Sequence, residues 1–291
     1  MTRQNSAGVP LLVLAGGRCV PRPLPAYIMG IVNATPDSFW EKSRVPCAGD
    51  LSGAVERALA LVEDGCDILD IGAESTRPGW QEVPAEEEMA RLVPLVADIR
   101  RYSTVPISVD TRKLSVMREA WNAGADILND VSALEDDPDL AQFAAHTDIP
   151  VVLMHRKGIP QAGQDAGGQY TDPASCVLRG LLDRAAFAER AGIKKEKIIL
   201  DPGIGFGKQY EDNRALIRGI GTLVNSGYPV LLGVSRKRCI GTMTGRDVPQ
   251  RLAGTLAAEM YAVLHGAAFV RVHDVRETRD MLAVVQELTG R

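Results

Sequence analysis

The sequence predicts a closed (β/α)8 TIM barrel. Eight apolar runs recur along the chain, each ends in a polar residue or a glycine turn, and the segments between them carry mostly helical spacing. Continuous apolar runs that alternate with helices are typical of parallel strands buried on both faces. In such a barrel, the loops at the C-terminal ends of the strands build the active site. The runs are YIMGIVN (27–33), DILDIG (67–72), VPISVD (105–110), ADILND (125–130), PVVLMH (150–155), KIILDPG (197–203), PVLLGVSRK (229–237) and AFVRVHD (268–274).

Apolar residues at helical spacing predict helices in the intervening segments. The last of these helices has a start signal, because Asp274 stands at its N-cap and Glu277 follows three residues later as in a capping box. The sets that carry the spacing are Leu51, Ala54, Val55, Ala58 and Val62; Met89, Leu92, Val93 and Val96; Leu216, Ile217, Ile220 and Val224; and Met281, Val284, Val285 and Leu288.

The chain of 291 residues is long enough for one barrel with a short addition. A barrel of this class takes about 250 residues. Residues 1–26 are rich in glycine and proline, with a strand-like piece at 10–14 and a Gly16-Gly17 turn. We therefore expect an N-terminal hairpin or arm over 1–26 and a barrel domain over 27–291.

Composition excludes several other classes of protein. A net charge of −4 gives no basic footprint for nucleic acid. The five cysteines form no C-x-x-C pair, so neither a disulfide framework nor a structural zinc site is indicated. The apolar run at 9–15 is short for a signal peptide, and no segment reaches the ~18–20 apolar residues of a membrane span. These features favour a cytoplasmic protein that binds no membrane.

Polar residues and one polar loop come together at the predicted C-terminal ends of the strands. Each residue alone has a structural explanation, since a strand-end Asp or Asn often caps the next helix. The convergence of so many from eight strands favours an active site instead. They are Asn33, the loop 75–79, Asp110, Asn129, His155, Asp201, Lys237, Arg271 and His273.

The types of these residues suit a flat, polar heterocycle. Asp110, Asn129 and Asp201 offer hydrogen-bond acceptors to ring N–H groups, and Lys237 offers a cationic donor to a carbonyl or ring nitrogen. A buried carboxylate in such a pocket also stabilises a cation that develops on the bound ring.

A second group of residues suits an anion. Arg271 and His273 are two residues apart on one strand and so point the same way. With Asn33 they predict a site for a phosphorylated group near the ends of strands 7 and 8, where barrels often bind phosphate. The Gly-rich segment 201–208 does not have the spacing of a dinucleotide fingerprint.

Taken together, the motifs resemble dihydropteroate synthase, and they run in that family's order from residue 28 to 275. Any one motif is modest evidence, whereas all of them in order are highly specific. They are IMGIVNATPDSF (28–39), GCDILDIGAESTRPG (65–79), ISVDTRK (107–113), GADILND (124–130), VVLMH (151–155), IILDPGIGFGK (198–208), GVSRKRCIG (233–241) and RVHDV (271–275).

The resemblance implies that 6-hydroxymethyl-7,8-dihydropterin pyrophosphate condenses with 4-aminobenzoate, with Mg²⁺ on the pyrophosphate and Asn33 as its protein contact. It also implies a homodimer and a target of sulfonamides. Among the site residues it makes Asp110, Lys237 and Asn33 catalytic. The family's pterin pocket corresponds to Asp110, Asn129, Met154, Asp201, Phe206, Gly233 and Lys237; its pyrophosphate site corresponds to Asn33, Arg271 and His273.

The aminobenzoate site of the family is shaped by two loops, which match Phe39 and the segment Thr76, Arg77 and Pro78 here. The first loop departs from the family pattern. Where the family continues with Ser-Asp-Gly-Gly, this chain has Trp-Glu-Lys-Ser-Arg at 40–44. Loss of both glycines removes freedom to adopt positive φ, so the geometry of this loop is expected to differ.

Three alternatives stay open at this point. A pterin-binding methyltransferase of the same superfamily would share the pterin carboxylates, but it would need no pyrophosphate site. A catalytically silent pterin-binding paralogue would account for the altered first loop. An aldolase with Lys237 as its Schiff-base lysine is the third.

Overall fold

Eight parallel strands form the centre of the fold. The computed structural model describes residues 11–34, 52–74, 82–156 and 170–290. Every strand lies inside one of the predicted apolar runs. The strands are β1 (Tyr27–Asn33), β2 (Ile68–Gly72), β3 (Ile107–Asp110), β4 (Ile127–Asp130), β5 (Val151–Met154), β6 (Ile198–Asp201), β7 (Leu231–Leu232) and β8 (Phe269–Val272).

The sheet curves round into a barrel. Its strand order is β6-β5-β4-β3-β2-β1-β8-β7, with every pairing parallel. A parallel bridge between Leu200 and Val230 brings the two edge strands together. The predicted (β/α)8 barrel is therefore confirmed, and the C-terminal ends of all eight strands open on one rim.

Helices surround the barrel. One prediction needs correction, because the spacing over 216–224 predicts a single helix and the structure has two. Gly219, with φ −92° and ψ 15°, separates them, in keeping with the low helix propensity of glycine. The helices are α1 (Ser52–Glu63), α2 (Ala85–Tyr102), α3 (Leu114–Asn122), α4 (Asp139–Thr147), α5 (Pro173–Arg190), α6 (Tyr210–Arg218), α7 (Ile220–Val224), α8 (Arg238–Thr244), α9 (Leu252–Leu264) and α10 (Val275–Thr289).

The two faces of the sheet bury two separate apolar clusters. Strand side chains alternate between faces, so one set fills the barrel and the other packs against the helices. The inner set includes Tyr27, Met29, Ile68, Ile127, Val152, Ile199, Leu231 and Phe269. The outer set includes Ile28, Leu69, Val109, Leu128, Val151, Leu200, Leu232 and Val270.

The described part of the predicted arm, residues 11–26, lies at the N-terminal ends of the strands. An antiparallel bridge joins Val13 to Cys19. The Tyr27 hydroxyl donates to the carbonyl oxygen of Val20 and accepts from the backbone N–H of Leu12, both at 3.0 Å. The arm thereby adds apolar side chains to the inner cluster and covers the floor of the barrel. In the part of the chain described, no helix is both long and apolar enough to cross a membrane.

A carboxyl group is buried between α9 and α10. Glu259 is fully buried and accepts a hydrogen bond from the Thr278 hydroxyl at 3.2 Å, while its Oε1 atom has no partner among the described residues. Burial raises the pKa of Glu259 from 4.5 to about 8. The folded protein therefore keeps a proton on Glu259 at pH values where the unfolded chain has lost it.

We expect Glu259→Gln to remove a pH-dependent loss of stability. The folded-state pKa lies above the unfolded value of 4.5. The free energy of unfolding therefore falls as pH rises from the unfolded towards the folded pKa, by at most about 1.4 kcal/mol per pH unit. The variant should be more stable than the wild type at pH 8, and this advantage should disappear near pH 5. Urea unfolding at both values measures it, with the exposed Glu287→Gln as control; an equal difference at both values would contradict the prediction.

Candidate active site

The side chains at the rim of the barrel follow from strand alternation. Because Ile68, Ile127 and Phe269 point into the barrel, residues two positions further along each strand point inward as well. This places a ring of polar groups above the apolar interior. The inward rim positions on the strands, or just beyond their ends, are Asn33, Asp70, Gly72, Asp110, Asn129, Met154, Asp201, Gly233, Arg271 and His273.

Arg271 joins two carboxylates from neighbouring strands. Its Nε atom donates to Asp70 at 2.6 Å, and a terminal nitrogen donates to Asp110 at 3.1 Å. The Asn129 amide donates to the same Asp70 carboxylate at 3.2 Å. Asp70 is completely buried, so β2, β3, β4 and β8 are connected through one hydrogen-bonded group.

The burial of these groups changes their acidity. Burial raises the pKa of Asp110 to about 7; the positive charge of Arg271 opposes this rise, and the negative charge of Asp70 adds to it. Asp110 is thus poised to be either neutral or charged near neutral pH. A carboxyl group of this kind gains most from a positive charge placed beside it.

A second pair of charges lies on the opposite side of the rim. Burial raises the pKa of Asp201, and the charge of Lys237 opposes that shift. Burial lowers the pKa of Lys237 to about 8, against the opposing charge of Asp201. The Lys237 ammonium donates to the carbonyl oxygen of Ile204 at 2.7 Å and lies 5.0 Å from the centre of the Phe206 ring.

The loop after β6 is held closely against the end of β5. Gly203 has φ +65°, and a Cβ atom there would lie 2.0 Å from the carbonyl oxygen of His155, so only glycine fits. The Asp201 carboxylate accepts from the backbone N–H of Gly203 at 2.7 Å. Lys208 extends beneath the loop and donates to three of its neighbouring carbonyl oxygens. The DPGIGFGK segment is therefore a structural loop that carries Asp201 and Phe206.

His273 is held as a neutral hydrogen-bonding group. Its Nδ1 atom lies 3.0 Å from the hydroxyl oxygen of Ser235, and its carbonyl oxygen accepts from Arg57 at 3.1 Å. Burial lowers the pKa of His273 to about 3, and the charge of Arg271 lowers it further. A neutral imidazole suits hydrogen bonding to a phosphate oxygen, whereas the positive charge at this end of the site comes from the arginines.

The predicted helix start at Asp274 is confirmed, but the capping bond expected of its side chain is absent. Asp274 stands at the N-cap of α10. Both carboxylate oxygens instead accept from the guanidinium group of Arg236, each at 2.8 Å. Arg236 lies between Ser235 and Lys237 in the chain, so this ion pair ties the end of β7 to the end of β8.

Sequence reasoning missed several residues of the site. Asp70 is absent from the predicted set, although alternation from Ile68 places it on the inward face. Lys208 and Arg57 had no strand-end signal. His155, which that reasoning included, contributes its backbone N–H to the carbonyl oxygen of Asp201 at 2.9 Å. Phe39, Thr76, Arg77 and Pro78 lie outside the described residues, as does the 40–44 departure.

Known proteins match this chain over most of its length. A family model described as "Pterin binding enzyme" matches residues 29–273. Dihydropteroate synthase from Escherichia coli (strain K12) is 42% identical over 260 residues, which cover 89% of this chain and 90% of the relative.

Two solved structures of dihydropteroate synthase from Xanthomonas albilineans also match. The first, with 4-aminobenzoic acid, has a TM-score of 0.84 at 44% identity and covers 94% of this chain and 96% of its own. The second, in complex with 7,8-dihydropteroate, has a TM-score of 0.83 at 41% identity and covers 95% and 98%.

The fold and the site together define a pterin-binding enzyme of the parallel barrel class. Sequence identity above 40% over most of the chain identifies the family within this class. The chain belongs to the dihydropteroate synthase family.

We expect Asp70→Asn to lower the pKa of Asp110 below its wild-type value of about 7. The substitution keeps the shape of the side chain but removes a negative charge that disfavours ionisation of Asp110. Carboxyl-region NMR of protein labelled with ¹³C at aspartate measures the shift, and Asp110→Asn identifies the signal. Asp64→Asn, which removes a carboxylate paired with the exposed Arg276, is the control. An unchanged or higher pKa in Asp70→Asn would contradict the electrostatic coupling.

Proposed function

We propose that this chain condenses 6-hydroxymethyl-7,8-dihydropterin pyrophosphate with 4-aminobenzoate to give dihydropteroate and pyrophosphate. The observation that carries the proposal is the set of carboxylate, amide and ammonium groups that meet at one rim of the barrel. Membership of the dihydropteroate synthase family supports it, as do relatives solved with 4-aminobenzoic acid and with 7,8-dihydropteroate. The reaction transfers a pterinylmethyl group in folate biosynthesis.

The pterin ring is proposed to bind between the two charged groups of the rim. Asn129 and Asp201 accept from its N–H groups, and Lys237 donates to its carbonyl oxygen or ring nitrogen. Met154, 4% exposed, supplies an apolar contact. Gly233 is proposed to contact the ring through its backbone; a Cβ atom there would make an ordinary van der Waals contact, 3.8 Å from the Lys237 ammonium.

The chemical step is a substitution at the exocyclic methylene carbon. The carbon–oxygen bond breaks first, and its electron pair leaves with the pyrophosphate. The positive charge left on the pterin is stabilised by the Asp110 carboxylate. The aromatic amine of 4-aminobenzoate then attacks the methylene carbon and loses a proton. No covalent bond to the protein forms, so the cysteines have no catalytic role.

The leaving group is proposed to bind Asn33, Arg271 and His273. Arg271 connects the proposed pterin site to the proposed pyrophosphate site. It donates to Asp110, and it lies on the strand that leads to His273. A guanidinium group offers two parallel N–H donors to phosphate oxygens. The neutral His273 adds a hydrogen-bond donor without a further charge.

Mg²⁺ is proposed to accompany the pyrophosphate. Mg²⁺ prefers oxygen ligands and usually takes several from waters and substrate phosphates. The amide oxygen of Asn33, at the rim end of β1, suits one position in such a set. When bound, the ion neutralises charge that develops on the departing pyrophosphate.

Phe39 and the segment Thr76, Arg77 and Pro78 are proposed to shape the 4-aminobenzoate site. The proposal rests on their match to the family's loop motifs. The departure at 40–44 falls in the sequence of the first of these motifs, and we propose that Lys42 or Arg44 pairs with the aminobenzoate carboxylate.

A cytoplasmic homodimer is proposed as well. The free thiols Cys19, Cys66, Cys176 and Cys239 suit a reducing compartment. Helices α8 and α9 pack against each other, and they expose Met243, Met260 and Leu264, each about 40% accessible. Light scattering after size exclusion tests the dimer, and a monomer at micromolar concentration would refute it.

Complementation of a strain that lacks dihydropteroate synthase tests the function. Growth without added folate end products is the expected result. A methyltransferase or a silent pterin-binding protein would bind pterin in vitro and fail to restore growth. The assay therefore separates the proposed function from both alternatives in one experiment.

We expect Asp110→Asn to reduce kcat far more than substrate affinity. The amide keeps the shape of the side chain but lacks the charge that stabilises the pterin cation, so kcat should fall by about a hundredfold. The Kd for 6-hydroxymethylpterin, measured by calorimetry, should change by less than about threefold. Equal losses in both quantities would show that Asp110 only binds the ring. Asp64→Asn should leave both unchanged.

A further inference from the structure

Lys208 is a buried lysine that the reaction above does not use. Only 6% of the residue is exposed. Its ammonium group donates to the carbonyl oxygens of His155 and Gly203, both at 2.9 Å, and to that of Phe206 at 3.1 Å. Three acceptors match the three N–H bonds of an ammonium group. The lysine is therefore fully bonded to backbone.

The three carbonyl oxygens belong to two separate pieces of backbone. His155 lies just beyond the end of β5, whereas Gly203 and Phe206 lie in the loop after β6. Lys208 consequently fastens this loop to the neighbouring strand. From the other side, the amide oxygen of Asn213 accepts from the backbone N–H of Gly205 at 2.7 Å.

The same loop carries the groups that hold Lys237. The carbonyl oxygen of Ile204 accepts from the Lys237 ammonium at 2.7 Å. The Phe206 ring lies 5.0 Å from that ammonium, within the range of a cation–π contact. A shift of the loop would therefore move the aromatic ring and the hydrogen-bond partner of Lys237 together.

We propose that Lys208 is a positioning residue of the pterin site, which holds the 202–207 loop so that Ile204 and Phe206 fix Lys237 in place. The role rests on the proposed function, because it concerns the pocket that takes the pterin ring. Lys208 acts through the backbone and does not itself touch the ring. Burial lowers the pKa of Lys208 to about 7, and the charge of Asp201 opposes this shift.

Lys197 provides a matched control at the opposite end of the barrel. It is 3% exposed. Its ammonium group donates to the carbonyl oxygens of Leu14 at 3.1 Å and Asp148 at 2.8 Å. Replacement of either lysine by methionine keeps an unbranched side chain and removes backbone hydrogen bonds. Only the replacement of Lys208 affects the rim.

The experiment compares Lys208→Met, Lys197→Met and the wild type. Calorimetry with 6-hydroxymethylpterin gives Kd, thermal unfolding gives Tm, and initial rates give KM for each substrate. We expect Lys208→Met to raise the pterin Kd by about tenfold or more, because displacement of Ile204 and Phe206 would weaken the charged hydrogen bond that Lys237 makes to the ring. KM for the pterin pyrophosphate should rise, while KM for 4-aminobenzoate should stay within about twofold. Lys197→Met should lower Tm without changing the pterin Kd.

Two results would overturn the role of Lys208. One is wild-type pterin affinity in Lys208→Met, and the other is an equal loss of affinity in Lys197→Met at the same Tm. A wild-type chain that binds no pterin would instead overturn the proposed function, so the two failures are distinguishable. If Lys208→Met does not fold, Lys208→Gln, which keeps two N–H donors, is measured against the same outcomes.

Discussion

A guanidinium group between two carboxylates, one of them fully buried, determines the geometry of the site. Arg271 lies between Asp70 and Asp110, and Asn129 completes the group. Charges removed from water are costly unless they are paired and hydrogen-bonded. Each member is therefore needed by the others, and their hydrogen bonds fix the positions of the polar side chains that β2, β3, β4 and β8 carry at the rim.

The other half of the rim uses backbone instead of carboxylate pairs. Lys208 and Lys237 donate mainly to carbonyl oxygens of the loop after β6, and Asp201 accepts from that loop. In the proposed reaction, the Arg271 half of the rim places the Asp110 carboxyl group beside the developing positive charge. The loop after β6 supplies a rigid surface against which the flat ring packs. The close turns of this glycine-rich segment are occupied by the protein's own Lys208.

Most of the fold was predictable because its signals are local. Each of the eight strands is an apolar run, and the polar residue at the end of a run marks the rim. One error arose where a contact with a residue distant in the chain overrode a local pattern. Asp274 has the sequence of a helix cap, yet the guanidinium group of Arg236 takes its carboxylate. Gly219 divides a segment whose apolar spacing alone predicts one helix.

The sequence by itself determined the barrel, the direction of its strands and the family, because these depend on periodicity and on motifs in order. Only the tertiary structure decided which charges neutralise each other. Asp70 and Arg271 are 201 residues apart in the chain. Lys208 binds the carbonyl oxygen of His155, which is 53 residues away. Such pairings depend on how the closed sheet brings strand ends together, and burial there shifts the pKa values of Asp110, Lys208 and Lys237. No local pattern carries that information.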